Sequence, residues 1–301
     1  MIKGIALGLA VGIAFDAFLV RMTLVPALMT LFGKAAWWMP KWLGRILPNV
    51  DIEGELLREH KDAVAWTATQ RGLAISTDHL VVGTHDAGAS AIHRVGPLSV
   101  SIPAGSLVAV VGDVADRRLL AATLGGRLDP VSGRAQVAGH PLPSKSSRVR
   151  GKVALADLGG VERAETSVTV GELLVERLEL TQPWWRQFVT RRRAQMWLER
   201  INSVLAASTG RVVVPVRAAS TLVELPQLER AVTLAALALA ERTPIVLLDQ
   251  LDAFATDADE HVFFAAVRAL APATTTVMVG VSSPPRTHPD TIHLAAMEAA
   301  R

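Results

Sequence analysis

The segment from Val108 to Leu120, VAVVGDVADRRLL, constrains the fold of this chain more than any other. An apolar run typical of a buried strand reaches Gly112, a short polar stretch DVAD follows, and a helical pattern comes next. This layout is that of a phosphate-binding loop, whose motif is GxxxxGK[ST]. The second glycine, the lysine and the hydroxyl of that motif are absent, and Arg117 and Arg118 follow the polar stretch instead. The segment therefore predicts the strand–turn–helix fold of a phosphate-binding α/β domain, without the residues that contact phosphate and Mg²⁺ in such a domain.

The N-terminal region predicts a membrane-spanning helix. The run from Gly4 to Val20 carries one charge, and after Arg21 the apolar residues continue to Phe32. A continuous helix over this run is about 43 Å long at 1.5 Å per residue, enough to cross a bilayer with tilt or with a kink at Pro26. The mean hydropathy of +0.33 also favours a membrane-embedded portion. A cleaved signal peptide is the alternative, but the apolar run is longer than such peptides have.

Two ionisable residues, Asp16 and Arg21, lie inside the predicted span. An ionisable group at membrane depth is a functional candidate, as part of a proton relay or of an ion pair. The alternative is structural: Arg21 snorkels to an interface and Asp16 pairs with a neighbouring helix. Both interpretations stay open. One helix cannot enclose a transport path, so a transport role requires spans from elsewhere.

An interfacial segment follows the span. Between Ala35 and Pro48 the chain mixes three tryptophans with cations: Trp37, Trp38, Lys41, Trp42 and Arg45. Tryptophans and cations at the end of a span are typical of the membrane–water interface. The excess of Lys and Arg on this flank predicts a single-pass protein of the cell membrane, with its C-terminal part in the cytoplasm.

The residues from 15 to 42, FDAFLVRMTLVPALMTLFGKAAWWMPKW, resemble the end of the last transmembrane helix and the exit segment of MMPL-type transporters. These transporters belong to the resistance–nodulation–division superfamily, which uses proton flux to export lipids and hydrophobic compounds. The resemblance implies a membrane location and transporter helices or subunits as partners. It also implies that the chain is a C-terminal piece of a longer transporter or the product of a split gene.

The rest of the chain divides into a linker and an α/β domain. We assign residues 1–48 to the membrane segment, 49–71 to a linker or short helix, and 72–301 to the domain. Short apolar runs predict strands at Leu73–Ile75 and Leu80–Val82. The alternation of Leu98, Val100 and Ile102 predicts an antiparallel edge that meets a buried strand at Leu107–Val111. A helix ending near Gly125–Gly126 and a strand at Arg134–Ala138 follow.

The order of these segments resembles the ATP-binding cassette family, over roughly residues 72–297. The matching positions are Gly105, Val110, Gly112, Pro130, Ser132, Gly133 and Gly139. The resemblance implies an ABC-ATPase-like P-loop domain with a mixed sheet and a helical subdomain. It also implies a homodimer as one assembly, and ATP with Mg²⁺ as a ligand if the nucleotide site works.

Within that resemblance the phosphate-contacting positions are altered. Arg117 stands at the lysine position and Arg118 at the hydroxyl that binds Mg²⁺. Arginine can pair with phosphate, but it has no lone pair for a metal. At the catalytic end the Walker B strand Ile245–Leu248 leads into Asp249, and Gln250 replaces the catalytic glutamate, so general-base help is lost. Gly112, Arg117, Arg118, Asp249 and Gln250 are the predicted, degenerate nucleotide-binding residues, and we predict no catalytic residue.

Three further motifs of the family are also altered. The segment Val153–Gly160 has no glutamine at the glutamine-loop position, although Asp157 is near it. The signature LSGGQ corresponds to Leu225–Glu229, LPQLE, which has lost its serine and both glycines. The switch histidine falls at Ser282. Together these changes predict a pseudo-ATPase used for regulation or docking; an active or slow ATP-binding transporter subunit and a structural adaptor without nucleotide are the alternatives.

The segment from Leu178 to Leu205 is predicted to be helical, with a cationic patch at Arg191–Arg193. This face is either solvated or in contact with anionic lipid or a membrane domain. No cysteine is present and the eight histidines lack metal-site spacing, so we predict no metal site. The net charge of +3 is not concentrated in one block, which favours a membrane surface over nucleic acid as the partner.

Overall fold

The computed structural model describes residues 8, 12–13, 15–24, 27, 31, 52–84, 93–158, 168–180, 187–209, 213–251, 254, 256–286, 290–294 and 296–297. The chain divides into two compact units, Met1–Leu57 and Arg58–Arg301. In the first unit, Asp16–Leu24 forms a π-helical segment, in which the Thr23 hydroxyl donates to the Phe18 carbonyl five residues earlier, at 3.2 Å. The apolar side chains of this segment, such as Phe18 and Met22, are exposed.

Much of the predicted membrane segment lies outside the described residues. This applies to Pro26, to the interfacial tryptophans between Ala35 and Pro48, and to the side chain of Arg21. The side chain of Asp16 is described and is exposed. In the part of the N-terminal region that can be described, and in the rest of the described chain, no helix meets both the length and the hydropathy that a bilayer span requires. The spanning helix therefore stays a prediction.

A helix, α1, runs from Ile52 to Thr69 inside the predicted linker, so this stretch is helical rather than extended. Near its end the Trp66 ring lies under the guanidinium of Arg134, whose Cζ is 5.6 Å from the ring centroid. Arg134 lies in the strand Ser132–Val137, so this contact connects the end of α1 to the sheet that contains that strand.

The remaining elements begin with four consecutive strands and continue with both helices and strands. The strands are β1 (Leu73–Gly83), β2 (Arg94–Leu98), β3 (Ser101–Pro103), β4 (Leu107–Val111), β5 (Ser132–Val137), β6 (His140–Leu142), β7 (Val153–Asp157), β8 (Ile245–Leu251), β9 (Thr276–Val281), β10 (Thr291–His293) and β11 (Ala296–Met297). The helices are α2 (Val114–Leu124), α3 (Ser146–Arg150), α4 (Val170–Leu180), α5 (Gln187–Thr209), α6 (Gln227–Ala240) and α7 (Asp257–Leu270).

Parallel and antiparallel pairings occur in two different sheets, rather than in the one mixed sheet that we predicted. The parallel sheet has the order β10-β4-β9-β8-β7. The antiparallel sheet has the order β11-β2-β1-β5-β6, and β3 also pairs with β1. The expected meeting of β3 with β4 is wrong, because Ile102 pairs with Ile75 of β1. The two runs predicted at Leu73–Ile75 and Leu80–Val82 form one strand, β1.

In the parallel sheet, β4 and β9 are buried along their whole length and β8 is buried from Ile245 to Leu248, which explains the continuous apolar sequences of these three strands. In β4, Leu107, Ala109 and Val111 pack in the core beneath the helices α4 to α7. Val108 and Val110 face the other way and pack with α2 and the antiparallel sheet. The predictions of a buried strand at Leu107–Val111 and of a helix ending at Gly125–Gly126 are confirmed.

Candidate functional site

The turn between β4 and α2 is much shorter than a phosphate-binding loop. β4 ends at Val111 and α2 begins at Val114, so Gly112 and Asp113 alone separate them. Asp113 has extended backbone angles and serves as the helix N-cap position. The polar stretch that we expected to be a loop is therefore mostly helical. A loop of backbone N–H groups that could surround a phosphate needs more residues and glycine conformations.

Arg117 lies one turn into α2 and its side chain is buried, with 3% of its surface exposed. Its Nε donates to Oδ1 of Asp249 at 3.1 Å, and its Nη1 donates to the carbonyl oxygen of Gly112 at 2.5 Å. Asp249 lies near the carboxyl end of β8 and has 13% of its side chain exposed. The guanidinium thus crosses from α2 to the strand that carries the Walker B position and occupies the space between them.

Arg118 brings a second cation to the same carboxylate. Its Nε lies 3.8 Å from Oδ2 of Asp249, and its Nη2 lies 3.5 Å from Oδ2 of Asp157 on the neighbouring strand β7. Asp157 and Asp249 are register partners in the parallel sheet. Both oxygens of Asp249 therefore face guanidinium groups that belong to the chain itself.

Gly280 on β9 leaves the room that this arrangement needs. A Cβ at that position would lie 2.5 Å from Oδ1 of Asp249 and 3.0 Å from Nε of Arg117. The cavity next to the pair has a volume of about 20 Å³, lined by these three residues and by Val110, Leu120, Ala121, Leu124, Leu247, Leu248 and Met278. Such a volume holds about one water molecule, far less than a nucleotide phosphate chain.

The other predicted positions are placed as follows. Gln250 lies within β8, but its side chain is outside the described residues. Ser282 directly follows β9 and is exposed. In the signature segment, helix α6 begins at Gln227 after Pro226, and Glu229 is buried with its Oε2 lacking any hydrogen-bond partner in the described structure. The assignment of these residues to nucleotide binding stays a prediction.

Sequence reasoning missed a second contact of a buried carboxylate, made by the residue that precedes Arg117. Asp116 lies in the first turn of α2, where the helix dipole favours a carboxylate, and it is buried. Its Oδ1 contacts Nε2 of His93, whose side chain is 47% exposed. His93 precedes β2, so this contact ties the antiparallel sheet to α2. No sequence motif could indicate this contact, because no recognised motif contains a histidine and an aspartate at the spacing of His93 and Asp116.

A large groove lies between α4 and α5, with a volume of about 810 Å³. One wall carries three exposed glutamates of α4: Glu172, Glu176 and Glu179. The opposite wall carries Arg191, Gln195 and Leu198 of α5. The Oε2 of Glu172 accepts from the backbone N–H of Thr169 at 2.9 Å and from its hydroxyl at 2.8 Å, and these bonds hold the pKa of that carboxyl below its usual value.

Among the described residues, no group of three or more His, Cys, Asp and Glu side chains could hold a metal ion. The carboxylates of Asp157 and Asp249 are a pair, and arginine lies against each of them. Oxygen atoms that accept from guanidinium groups are poor ligands for Mg²⁺ until those contacts break.

Comparison with known proteins identifies relatives of a short part of the chain. "Membrane protein YdfJ" of Bacillus subtilis is 61% identical over 56 residues, which are 19% of this chain and 8% of that protein. "Mycolic acid-containing lipids exporter MmpL11" of Mycolicibacterium smegmatis is 48% identical over 56 residues, 19% of this chain and 6% of the exporter. "Trehalose monomycolate exporter MmpL3" of the same organism is 42% identical over 62 residues, 20% of this chain and 6% of the exporter. The resemblance to MMPL-type transporters is confirmed, but the chain spans less than a tenth of the length of these relatives.

Solved structures show the fold of a much larger part. The chain matches cbiO1 from Clostridium perfringens, part of the ABC transporter complex cbiONQ, with a TM-score of 0.51 and 12% identity, over 71% of this chain and 80% of that one. A bacterial ABC transporter cassette solved as a dimer matches with a TM-score of 0.50 and 16% identity, over 69% of this chain and 88% of that one. At this identity the match shows the fold alone: the expected α/β fold of ATP-binding cassettes is confirmed. No family model matches the chain.

Proposed function

We propose that this chain is a membrane-associated component of a transporter for lipids or other hydrophobic compounds. Its cassette domain does not hydrolyse ATP and serves for docking or regulation. The observation that carries the proposal is the buried contact of Arg117 with Asp249, at 3.1 Å, in the place where a cassette would hold phosphate and metal.

Three features of the site support the loss of ATPase activity. Asp249 faces two guanidinium groups, so a magnesium ion would have to displace both cations to reach it. The turn of Gly112 and Asp113 supplies too few backbone N–H groups to surround a phosphate. Gln250 stands where a catalytic base is needed, and a neutral amide cannot accept the proton of an attacking water.

The membrane part of the proposal rests on the MMPL-like region. Two of the relatives are named as lipid exporters, and their similarity to this chain supports a place beside or within such a transporter. We propose that residues 1–48 contain one spanning helix, that Asp16 and Arg21 lie in it, and that the cassette domain is cytoplasmic. The assembly partner is a set of transporter helices or a second copy of the chain.

The groove between α4 and α5 supports a docking role. Glu172, Glu176 and Glu179 give one wall a negative charge that is only partly offset by Arg191 on the other. Cytoplasmic loops of membrane proteins carry an excess of Lys and Arg. We propose that a basic cytoplasmic helix of the transporter lies in this groove, because the charges are complementary.

The first experiment measures nucleotide binding and turnover with the full chain in detergent. Titration calorimetry with ATP and Mg²⁺ is expected to show no Mg²⁺-dependent heat, and phosphate release is expected to equal that of Asp249→Ala. Circular dichroism establishes that both proteins are folded. Mg²⁺-dependent turnover that disappears in Asp249→Ala contradicts the proposal and favours an active subunit. Binding heat without turnover favours a slow nucleotide binder.

The second experiment tests the groove with a synthetic amphipathic helix that carries lysines on its polar face, monitored by fluorescence anisotropy. The charge reversal Glu176→Lys/Glu179→Lys is expected to weaken binding by about tenfold, from repulsion at close range. The control is Glu199→Lys on α5, which does not line the groove. Equal weakening in the control would show that the peptide responds to overall charge and that the groove is not the docking surface.

A further inference from the structure

A second concave site lies on the face of α5 opposite to the groove between α4 and α5. Its volume is about 140 Å³, and it is lined by Arg193, Met196, Trp197, Arg200 and Arg242. The four residues of α5 recur at intervals of three and four, so they share one face of the helix. Arg242 comes from the turn between α6 and β8. Three cations and an aromatic ring therefore converge on one small pocket.

The backbone at Arg242 is strained. Arg242 follows the last turn of α6, and its φ of +55° lies in the left-handed region. Its N–H donates to the carbonyl of Leu239 at 3.0 Å, which closes the helix end. Glycine is the usual residue at such a helix end because it adopts this conformation at little cost. An arginine there costs conformational energy, which points to a use for its side chain.

Among the described residues that line the pocket there is no carboxylate to balance its charges. The guanidinium groups of Arg193 and Arg242 have no ion pair or hydrogen bond with the described residues. The adjacent acids are engaged elsewhere: Glu241 accepts from Arg177 at 2.8 Å, and Glu199 accepts from Gln195 at 3.3 Å. Like charges this close repel, so a bound anion would stabilise the arrangement.

Arg200 is already held in position for a ligand. Its Cζ lies 5.7 Å from the centroid of the Trp197 ring, and its Nη2 donates to the carbonyl of Ala269 on α7 at 3.1 Å. These two contacts use the face of the guanidinium and one of its N–H groups, while further N–H donors are left for a ligand. Pre-positioned guanidinium groups match the oxygens of phosphate in a bidentate manner.

We propose that the pocket of Arg193, Arg200, Arg242 and Trp197 binds a phosphate group, with the apolar remainder of the ligand against Met196 and Trp197. The volume of about 140 Å³ is roughly ten times the ~10–15 Å³ that one water molecule needs, so the pocket has room for a phosphate group. The phosphate belongs either to a lipid headgroup or to a soluble phosphoester. This pocket shares no lining residue with the cavity beside Asp249, so the proposal does not depend on whether the cassette binds ATP.

The test is arginine footprinting on the full chain reconstituted in vesicles of digalactosyldiacylglycerol, a neutral lipid that carries no phosphate. Phenylglyoxal modifies accessible guanidinium groups, and mass spectrometry gives the rate at each arginine. One arm adds inorganic phosphate, and the other includes phosphatidic acid in the vesicles. We expect slower modification of Arg193 and Arg242 in at least one arm, whereas Arg192, an exposed neighbour outside the pocket, reacts at an unchanged rate.

The decisive variant is Arg242→Gly, because glycine removes the side chain and relieves the backbone strain. Its thermal midpoint is expected to equal or exceed that of the parent, so misfolding cannot explain lost binding. The phosphate or phosphatidic acid concentration that half-protects Arg193 is expected to rise about tenfold, the factor for one lost charge-assisted hydrogen bond. The variant Arg192→Gln is the matched charge control and leaves that concentration unchanged.

The arms also separate the two ligand sources. Protection by phosphatidic acid alone identifies a lipid headgroup site, and protection by inorganic phosphate in vesicles without phosphatidic acid identifies a site for soluble phosphoesters. Absence of protection in both arms overturns the proposal. Equal protection of Arg192, or unchanged protection of Arg193 in Arg242→Gly, also overturns it, because the effect would then come from overall charge.

Discussion

Removing the carboxylate of Asp249 is expected to destabilise the protein more than removing its partner Arg117. Without Asp249, the Arg117 guanidinium stays buried, 3% exposed, with the Gly112 carbonyl as its described partner. Without Arg117, the carboxylate is 13% exposed and keeps Arg118 at 3.8 Å. Breaking a buried ion pair by removing one partner costs about 3–5 kcal/mol. We expect Asp249→Ala to lie in that range and Arg117→Met to lie below it.

The double variant gives the sharper result. In Asp249→Ala/Arg117→Met the buried uncompensated charge of Arg117 is gone, so we expect it to be more stable than Asp249→Ala alone, although it carries one more substitution. The assay is thermal unfolding of the full chain in detergent, followed by circular dichroism. A domain of this size loses about 2–4 °C per kcal/mol, so Asp249→Ala should lower the midpoint by about 6–20 °C.

The control is Asp257→Ala, which removes one side of the exposed ion pair with Arg286. Both side chains of that pair are largely solvent-exposed, so the expected loss is about 0–1 kcal/mol. An Asp249→Ala midpoint as high as that of the control would refute the reasoning. So would a double variant that is less stable than either single variant, because the buried charge would then not be the source of the loss.

Three other variants test the same region and its surroundings. Gly280→Ala places a Cβ 2.5 Å from Asp249 Oδ1 and should lower the free energy of unfolding by about 1–3 kcal/mol in the same assay. An unchanged midpoint would contradict this, because β9 would then accommodate the Cβ without cost. His93→Ala leaves the buried Asp116 without its ring partner and should cost about 1–3 kcal/mol, whereas His79→Ala at an exposed site should cost little. The pKa of Glu172 is lowered mainly by the backbone N–H and then by the hydroxyl of Thr169, so its ionised form stabilises the fold above the usual value of 4.5, and this contribution disappears as pH falls through the lower folded-state pKa. Glu172→Gln should therefore flatten the pH dependence of the thermal midpoint below about pH 4.5, and a profile identical to the parent would contradict this.

Local patterns predicted the elements near the site well. The uninterrupted run at Leu107–Val111 indicated a strand buried on both faces, and Gly125–Gly126 indicated the end of the next helix. The apolar residues before Asp249 likewise indicated the strand that carries it. These features depend on the residues within a few positions, so a single sequence contains them. The MMPL-like segment was also identified from local sequence, because a run of adjacent residues carries it.

The same local reasoning failed at the turn after β4. The pattern of Gly112 and the polar DVAD stretch indicated a loop, but α2 begins at Val114. In the first turn of α2, Asp116 contacts His93 and Arg117 contacts Asp249. These contacts offset the cost of burying two charged side chains at the start of the helix. His93 and Asp249 are distant in sequence from the residues that they contact, so local helix propensities and turn motifs could not predict these contacts.

The sequence by itself determined which side chains are available: there is no lysine, hydroxyl or glutamate at the positions that the resemblance to cassettes assigns to ATP binding and hydrolysis. It also determined the hydrophobic runs that pack into the parallel sheet. The tertiary structure alone decided what Arg117 does, because its partner Asp249 is 132 residues away and reaches it only through the strand order β4-β9-β8. It likewise brought Arg242 beside α5. Hydrophobic periodicity indicates which face of a helix or strand is buried. Charge pairing between distant segments depends instead on which strands and helices become neighbours in the fold.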